Sequence, residues 1–63
     1  MCKFKITNKT TKKDITCVSA WDIFNTVANI TDERDAQTVW KQAGHIQVGK
    51  QLLFPKYTIT RMA

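Results

Sequence analysis

The spacing of hydrophobic residues changes twice along the chain, and each change predicts a new kind of element. Over residues 2–18, single apolar residues alternate with polar ones, interrupted by a polar stretch at 8–13; the apolar positions are Cys2, Phe4, Ile6, Ile15 and Cys17. Alternation with a period of two is typical of half-buried strands. The segment is therefore predicted to form a β-hairpin whose apolar face packs on the rest of the chain, because a lone hairpin is only marginally stable.

The middle of the chain has a helical period. Ser19 is the predicted N-cap of a first helix from about Ala20 to about Ile30, with Asp22 completing an acidic variant of the capping box. Its apolar positions recur at helical spacing, with Trp21 at the edge of the apolar stripe and either closing the core or partly exposed.

A second helix is predicted between Thr31, as its N-cap, and Gly44, as a left-handed C-cap. One face is apolar and comprises Ala36, Val39, Trp40 and Ala43. The opposite face is basic and rich in amides and hydroxyls, and comprises Arg34, Gln37, Thr38 and Lys41. The link between the helices is short, which is compatible with a helix-turn-helix or with a helical hairpin.

After Gly44 the period returns to two. The alternation predicts a hairpin from Ile46 to Phe54 with its turn at Gly49-Lys50, followed by a final strand around Tyr57 to Arg61. The fold class is thus α+β, a single small domain over residues 1–63, in the order N-terminal β-hairpin, two short helices, C-terminal hairpin or wing, and final strand. One core is expected to contain Phe4, Ile6, Phe24, Val27, Val39, Trp40, Ile46 and Phe54.

Charge is unevenly distributed along the chain. The net charge is +5, yet every acid lies between Asp14 and Asp35. Four of the five acids fall in first turns of the predicted helices, where the helix dipole accounts for them. The lysines at both ends have no such explanation, so they favour a polyanionic partner. The alternative is a basic surface that serves solubility only.

The sequence contains no pattern that predicts catalysis. A single histidine, His45, and two cysteines without metal-ligand spacing give no basis for a metal, a cofactor or an enzyme. Cys2 and Cys17 would be neighbours across the hairpin, either as buried thiols or as a disulfide, and the reduced pair is favoured in a cytoplasmic protein. The N-terminus lacks the apolar region of a signal peptide, and no apolar run approaches the about 20 residues needed to span a bilayer, so a cytoplasmic location without membrane contact is expected.

A resemblance to a known family is carried by Val39-Trp40, Gly44-His45-Ile46, Val48-Gly49 and Leu52-Leu53-Phe54. This passage resembles the step from recognition helix to wing in excisionase-type and MerR-type winged-helix domains, over about residues 19–54. The resemblance implies that the second helix enters the major groove of DNA and that the wing contacts the backbone or the minor groove. The implied DNA-binding residues are Arg34, Gln37, Thr38 and Lys41 on the helix and Lys50 at the tip of the wing.

Two functions from different classes follow. The first is a small basic protein that binds double-stranded DNA, encoded by a phage or mobile element, with an architectural or regulatory role such as that of an excisionase. The second is a small phage-type protein that binds and modulates a host protein. A unit this small contacts little DNA alone, which favours a homodimer or cooperative assembly on DNA.

Overall fold

The computed structural model describes residues 3–63 and contains four strands and two helices. In chain order they are β1 (Phe4–Asn8), β2 (Asp14–Cys17), α1 (Ala20–Ile30), α2 (Glu33–Ala43), β3 (Gln51–Leu53) and β4 (Tyr57–Arg61). The predicted α+β class is confirmed, with an N-terminal strand pair, two helices and C-terminal strands, and the final strand has the predicted bounds. No helix in this part of the chain is long and apolar enough to cross a membrane.

The strands form one antiparallel sheet in the order β2-β1-β4-β3. The two strands from opposite ends of the chain, β1 and β4, are the central pair, with Ile6 opposite Ile59. Backbone hydrogen bonds continue this pairing at both ends: the Met62 amide donates to the Lys3 carbonyl at 2.7 Å, and the Lys9 amide to the Lys56 carbonyl at 2.9 Å.

Side-chain caps determine where each helix begins. The Ser19 hydroxyl accepts from the Asp22 amide at 3.2 Å, and an Asp22 carboxylate oxygen accepts from the Val18 amide at 3.2 Å, which confirms the predicted cap of α1. The predicted cap of α2 at Thr31 is wrong. Asp32 caps α2 by accepting from the Asp35 amide at 2.8 Å, because the Thr31 hydroxyl is already donating to the Val27 carbonyl at the end of α1.

The predicted left-handed cap at Gly44 is also wrong. Gly44 has φ of −67° and continues the helical turn. Its successor His45 donates its amide to the Gln42 carbonyl at 3.0 Å. The left-handed glycine is Gly49, with φ of +86°, and it reverses the chain before β3.

The segment after α2 differs most from the prediction. Residues 46–50 are not a strand, so the hairpin predicted from Ile46 to Phe54 does not form and Gly49-Lys50 is not its tip. Tertiary hydrogen bonds explain the difference: the Arg61 guanidinium donates to the Ile46 carbonyl at 2.7 Å and the Gly49 amide to the Arg61 carbonyl at 2.8 Å. The hairpin that does form joins β3 to β4 through a turn at residues 54–56.

The core lies between the helices and one face of the sheet. Its buried side chains are Phe4, Ile6, Cys17, Ile23, Val27, Ala36, Val39, Ala43, Tyr57 and Ile59. Four of the predicted core residues are in this set, whereas Phe24, Trp40, Ile46 and Phe54 are partly buried and pack against it. Cys17 is a free thiol in contact with the Thr26 hydroxyl at 3.6 Å, and its predicted neighbour Cys2 lies outside the described residues.

The opposite face of the sheet is left without helices. In the central strands the buried residues alternate with partly exposed ones, which are Lys5, Thr7, Thr58 and Thr60. The fold therefore has two layers. The sheet layer comprises residues 3–18 and 44–63, and the helix layer comprises residues 19–43.

We predict that Ile59→Ala lowers the free energy of unfolding by about 2–5 kcal/mol, because it leaves a cavity at the centre of the core. Ile59→Val should cost only about 0.5–1.5 kcal/mol at the same position. Urea denaturation monitored by circular dichroism gives both values. The control is Leu53→Ala, 71% exposed on edge strand β3, which should change stability by no more than about 0.5 kcal/mol. Equal effects at Ile59 and Leu53 would contradict the arrangement of the core.

Candidate interaction surfaces

The residues predicted to bind DNA are all exposed, but they do not form one surface. Gln37 and Lys41 line a groove between α1 and α2. Thr38 lies on the other side of α2, in a depression next to the β3–β4 turn. Arg34 is exposed near the start of α2, and Lys50 precedes β3 in the sheet layer. The structure therefore brings Gln37 and Lys41 together and places Thr38 and Lys50 elsewhere.

Charge is segregated between the two layers. The helix layer carries two cations and four acids, a net charge of −2. The sheet layer carries a net charge of +7, with Asp14 as its one acid and eight cations: Lys3, Lys5, Lys9, Lys12, Lys13, Lys50, Lys56 and Arg61. All of the excess positive charge of the chain, +5 in total, thus lies in the sheet layer.

Four lysines of the sheet layer lie at one end of the sheet. They belong to the β1–β2 and β3–β4 turns, which are adjacent because β1 pairs with β4: Lys9, Lys12, Lys13 and Lys56. Lys9 joins the turns, since its backbone amide donates to the Lys56 carbonyl at 2.9 Å and its ammonium donates to the Phe54 carbonyl at 2.6 Å. We call these four residues the lysine turns.

The uncovered face of the sheet presents a polar row that crosses all four strands. Cross-strand register places the row in the order Thr16, Lys5, Thr60, Gln51. Its only internal side-chain hydrogen bond joins the Gln51 amide to the Thr60 hydroxyl at 3.1 Å. The row offers hydroxyl, amide and ammonium groups and contains no carboxylate, which suits contacts to phosphate and base edges.

The helix layer carries an aromatic groove of about 400 Å³, lined by Ala20, Trp21, Phe24, Gln37, Trp40 and Lys41. The start of α1 faces the end of α2 across it, so the helices form a hairpin. Trp21 is 69% exposed and stacks on Phe24, with ring centroids 5.9 Å apart and planes 6° from parallel. The groove therefore places an exposed aromatic ring beside two partly buried ones on the helix layer.

A second depression, of about 460 Å³, lies where α2 begins next to the β3–β4 turn. Asp32, Asp35, Lys56 and the buried Tyr57 are among its lining residues. Burial, reinforced by the negative charges of Asp35 and Asp32, raises the pKa of Tyr57 to about 12. Two acids at the start of α2, Asp32 and Asp35, therefore lie next to the C-terminal hairpin.

Two observations concern thiol chemistry and metal binding in the described residues. Burial raises the pKa of the Cys17 thiol, which disfavours the reactive thiolate. Residues 3–63 contain no group of three or more His, Cys, Asp or Glu side chains that could hold a metal ion. The surfaces present are suited to binding a charged or an apolar partner.

Sequence reasoning missed both the polar row and the aromatic groove. The row depends on the pairing of β1 with β4, which local periodicity does not reveal. For the groove a signal existed: Trp21 lies at the edge of the apolar stripe of α1, where the sequence allowed partial exposure. The helical spacing of Phe24 and Trp40 predicts core positions, whereas both are only partly buried against the core.

No family model, curated protein or solved structure matches this chain.

We predict that the absorbance of tyrosinate titrates with a midpoint near pH 12 in the folded protein. Tyr57 is the only tyrosine, so the signal is unambiguous. Asp35→Asn should lower the midpoint, because it removes a charge that opposes the phenolate.

The same shift links Tyr57 to stability. Because its folded pKa exceeds the unfolded value of about 10, it contributes about 2–3 kcal/mol that is fully present below pH 10 and lost as pH rises through 12. Tyr57→Phe should remove this part of the alkaline loss in urea denaturation at successive pH values. Circular dichroism recorded in parallel separates ionisation from unfolding. A midpoint near pH 10 while the protein is still folded would contradict the buried position of the ring.

Proposed function

We propose that this protein binds double-stranded DNA through its sheet layer. The observation that carries the proposal is the segregation of charge, with +7 in the sheet layer against −2 in the helix layer. A DNA duplex is a dense array of phosphates, and cations that neutralise them release counterions and so drive binding. The helix layer, which is net negative, would face away from the DNA.

The lysine turns and the polar row have different roles in this proposal. The turn lysines neutralise phosphates and fix the position of the protein on the duplex, as backbone contacts generally do. The polar row lies on the uncovered face, where Lys5 contributes a further phosphate contact. Thr16, Thr60 and Gln51 can hydrogen-bond to sugars, phosphates or base edges. Strands are an established means of groove recognition in other DNA-binding proteins.

This orientation differs from the one implied by the resemblance to winged-helix domains. In that orientation α2 enters the groove with Gln37 and Lys41, but its first turn carries Glu33 and Asp35, and Asp32 caps it. The charges favour the sheet layer. The biological role that we propose is unchanged: an architectural or regulatory DNA-binding protein of a phage or mobile element, acting in the host cytoplasm.

The size of the domain bears on how it would assemble. Its longest dimension is 25 Å, which corresponds to about seven base pairs at about 3.4 Å per step. One copy would therefore contact a short stretch of DNA. We propose cooperative or dimeric binding as the way to a longer site.

A protein partner is the alternative, and the aromatic groove favours it. The groove lies on the helix layer, opposite to the basic surface. Binding of a host protein there does not require the sheet layer, so the two functions can be tested separately.

We predict that the protein binds a short mixed-sequence duplex with an affinity that falls steeply between about 50 and about 200 mM salt. Lys5→Thr, Lys13→Ala and Lys56→Ala should each weaken binding and lower the salt slope by about one, because each removes one phosphate contact. Fluorescence anisotropy of a labelled duplex measures both quantities.

The control for these variants is Lys41→Ala, which removes the same charge from the helix layer. It should leave affinity and salt slope unchanged. A larger effect of Lys41→Ala than of the three sheet-layer variants would favour the winged-helix orientation. If the wild-type protein does not bind duplex DNA even at the lower salt concentration, the proposal is wrong.

A further inference from the structure

One ring of the aromatic groove is not explained by the packing of this domain: Phe24 and Trp40 pack against the core, whereas Trp21 is exposed. The stack of Trp21 on Phe24 joins residues three apart on one helix, and such pairs stabilise a helix by only about 0.2–0.5 kcal/mol. Local helix stability does not account for the extension of the apolar surface to Trp40 on α2. The three rings line a single groove between two helices, with Trp21 largely in solvent at 69% exposure.

The volume of the groove and its two helical walls are compatible with a docked helix. Its volume of about 400 Å³ is large enough for a bulky side chain or two. Its two walls are α1 and α2, which run side by side in opposite directions. An amphipathic helix that lies on such a surface inserts anchors spaced three or four residues apart.

The charge of the groove restricts the partner further. Gln37 and Lys41 are one turn apart on α2 and form the polar rim, and no acid lines the groove. The Lys41 ammonium has no carboxylate partner among residues 3–63. A partner with a carboxylate next to its apolar anchor would supply the missing charge.

Two other occupants fit the charges less well. A second copy placed groove to groove would bring two Lys41 side chains together with no lining acid to compensate. DNA would meet three aromatic rings and a single cation on a layer whose net charge is −2.

We infer that the aromatic groove binds an amphipathic helix of a partner protein, with an aromatic or leucine anchor between Trp21 and Trp40 and a carboxylate directed at Lys41. The inference rests on the protein-partner alternative given above. It is independent of DNA binding by the sheet layer, so failure of either leaves the other in place.

The experiment is a selection from a displayed library of helical peptides on an alanine-glutamine scaffold. Positions at i, i+3, i+4 and i+7 of one face are randomised, and the full-length wild-type protein is the bait. Enriched peptides should carry Trp, Phe or Leu together with Asp or Glu on that face. Synthetic versions of them should bind Trp21→Ala about tenfold more weakly or worse than wild type, because Trp21 is the most exposed of the three aromatic rings that line the groove.

Leu53→Ala is the matched control, since Leu53 is 71% exposed but lies on β3 in the sheet layer. It should bind the peptides like wild type. Repeating the selection on Lys41→Glu should reverse the preference from acidic to basic peptides. A groove that binds peptides only through apolar contacts would show no such reversal. Both Trp21 and Lys41 are exposed, so the variants should keep the circular dichroism spectrum of the wild type.

Several results would overturn the inference. The inference is wrong if the selection enriches no peptides or if the enriched peptides show no preference for Asp or Glu. It is also wrong if the peptides bind wild type and Trp21→Ala with equal affinity. Sedimentation that finds a wild-type dimer and a monomeric Trp21→Ala would identify a second copy as the occupant. Loss of duplex binding in Trp21→Ala, with the sheet-layer lysine variants unaffected, would identify DNA as the occupant.

Discussion

The pairing of β1 with β4 is the constraint on which the rest of this structure depends. It joins strands from opposite ends of the chain, with Ile6 opposite Ile59 at the centre and neither residue exposed. Each hairpin is local, but a hairpin alone is marginal in water. Joining the two makes a four-stranded sheet with one apolar face wide enough for both helices. Because this contact is the most distant in sequence, its loop-closure entropy must be overcome before the core can form.

The same pairing creates the distribution of charge. The lysine-rich N-terminal segment and the basic C-terminal segment are far apart in sequence, and β1–β4 pairing places them in one layer. The intervening segment holds four of the five acids and forms the other layer, where three of these acids stand in the first turns of helices and Asp32 caps α2. Local helix-dipole chemistry and long-range strand pairing thus combine to give one molecule two faces of opposite sign. The topology therefore converts an uneven distribution of charge along the sequence into a basic layer and an acidic layer.

Local periodicity predicted those elements whose pattern and tertiary environment agree. The two helices, β1 and β4 each have one buried face, so their spacing indicates their structure. Local periodicity gave a wrong prediction at residues 46–50, where the apolar Ile46 and Val48 alternate with polar residues as they would in a strand. There the backbone bonds to the end of β4, and Arg61 donates to the Ile46 carbonyl, a contact that depends on a residue fifteen positions away. The candidate surfaces were less predictable still. The exposed face of α2 was identified, but the polar row required the strand order, and the groove required the position of one helix beside the other.

The exposure of Trp21 is unexpected on energetic grounds, because a domain this small depends on burying most of its large apolar side chains. Short chains bury a smaller fraction of their surface than long ones, and their stability is correspondingly limited. Fully burying a large apolar side chain is worth about 1.5–3 kcal/mol, a substantial part of a total that is about 5–15 kcal/mol in native proteins. Here the core closes with smaller residues, among them Ala36 and Ala43, while Trp21 remains in solvent and Trp40 is only partly buried. Part of the apolar area that the core leaves unused lies in one groove with a single cation at its rim, whereas Ile15, Val18, Val48, Leu53 and Met62 are exposed elsewhere. Three aromatic rings that line one groove differ from the single exposed apolar residues that are normal on any protein surface.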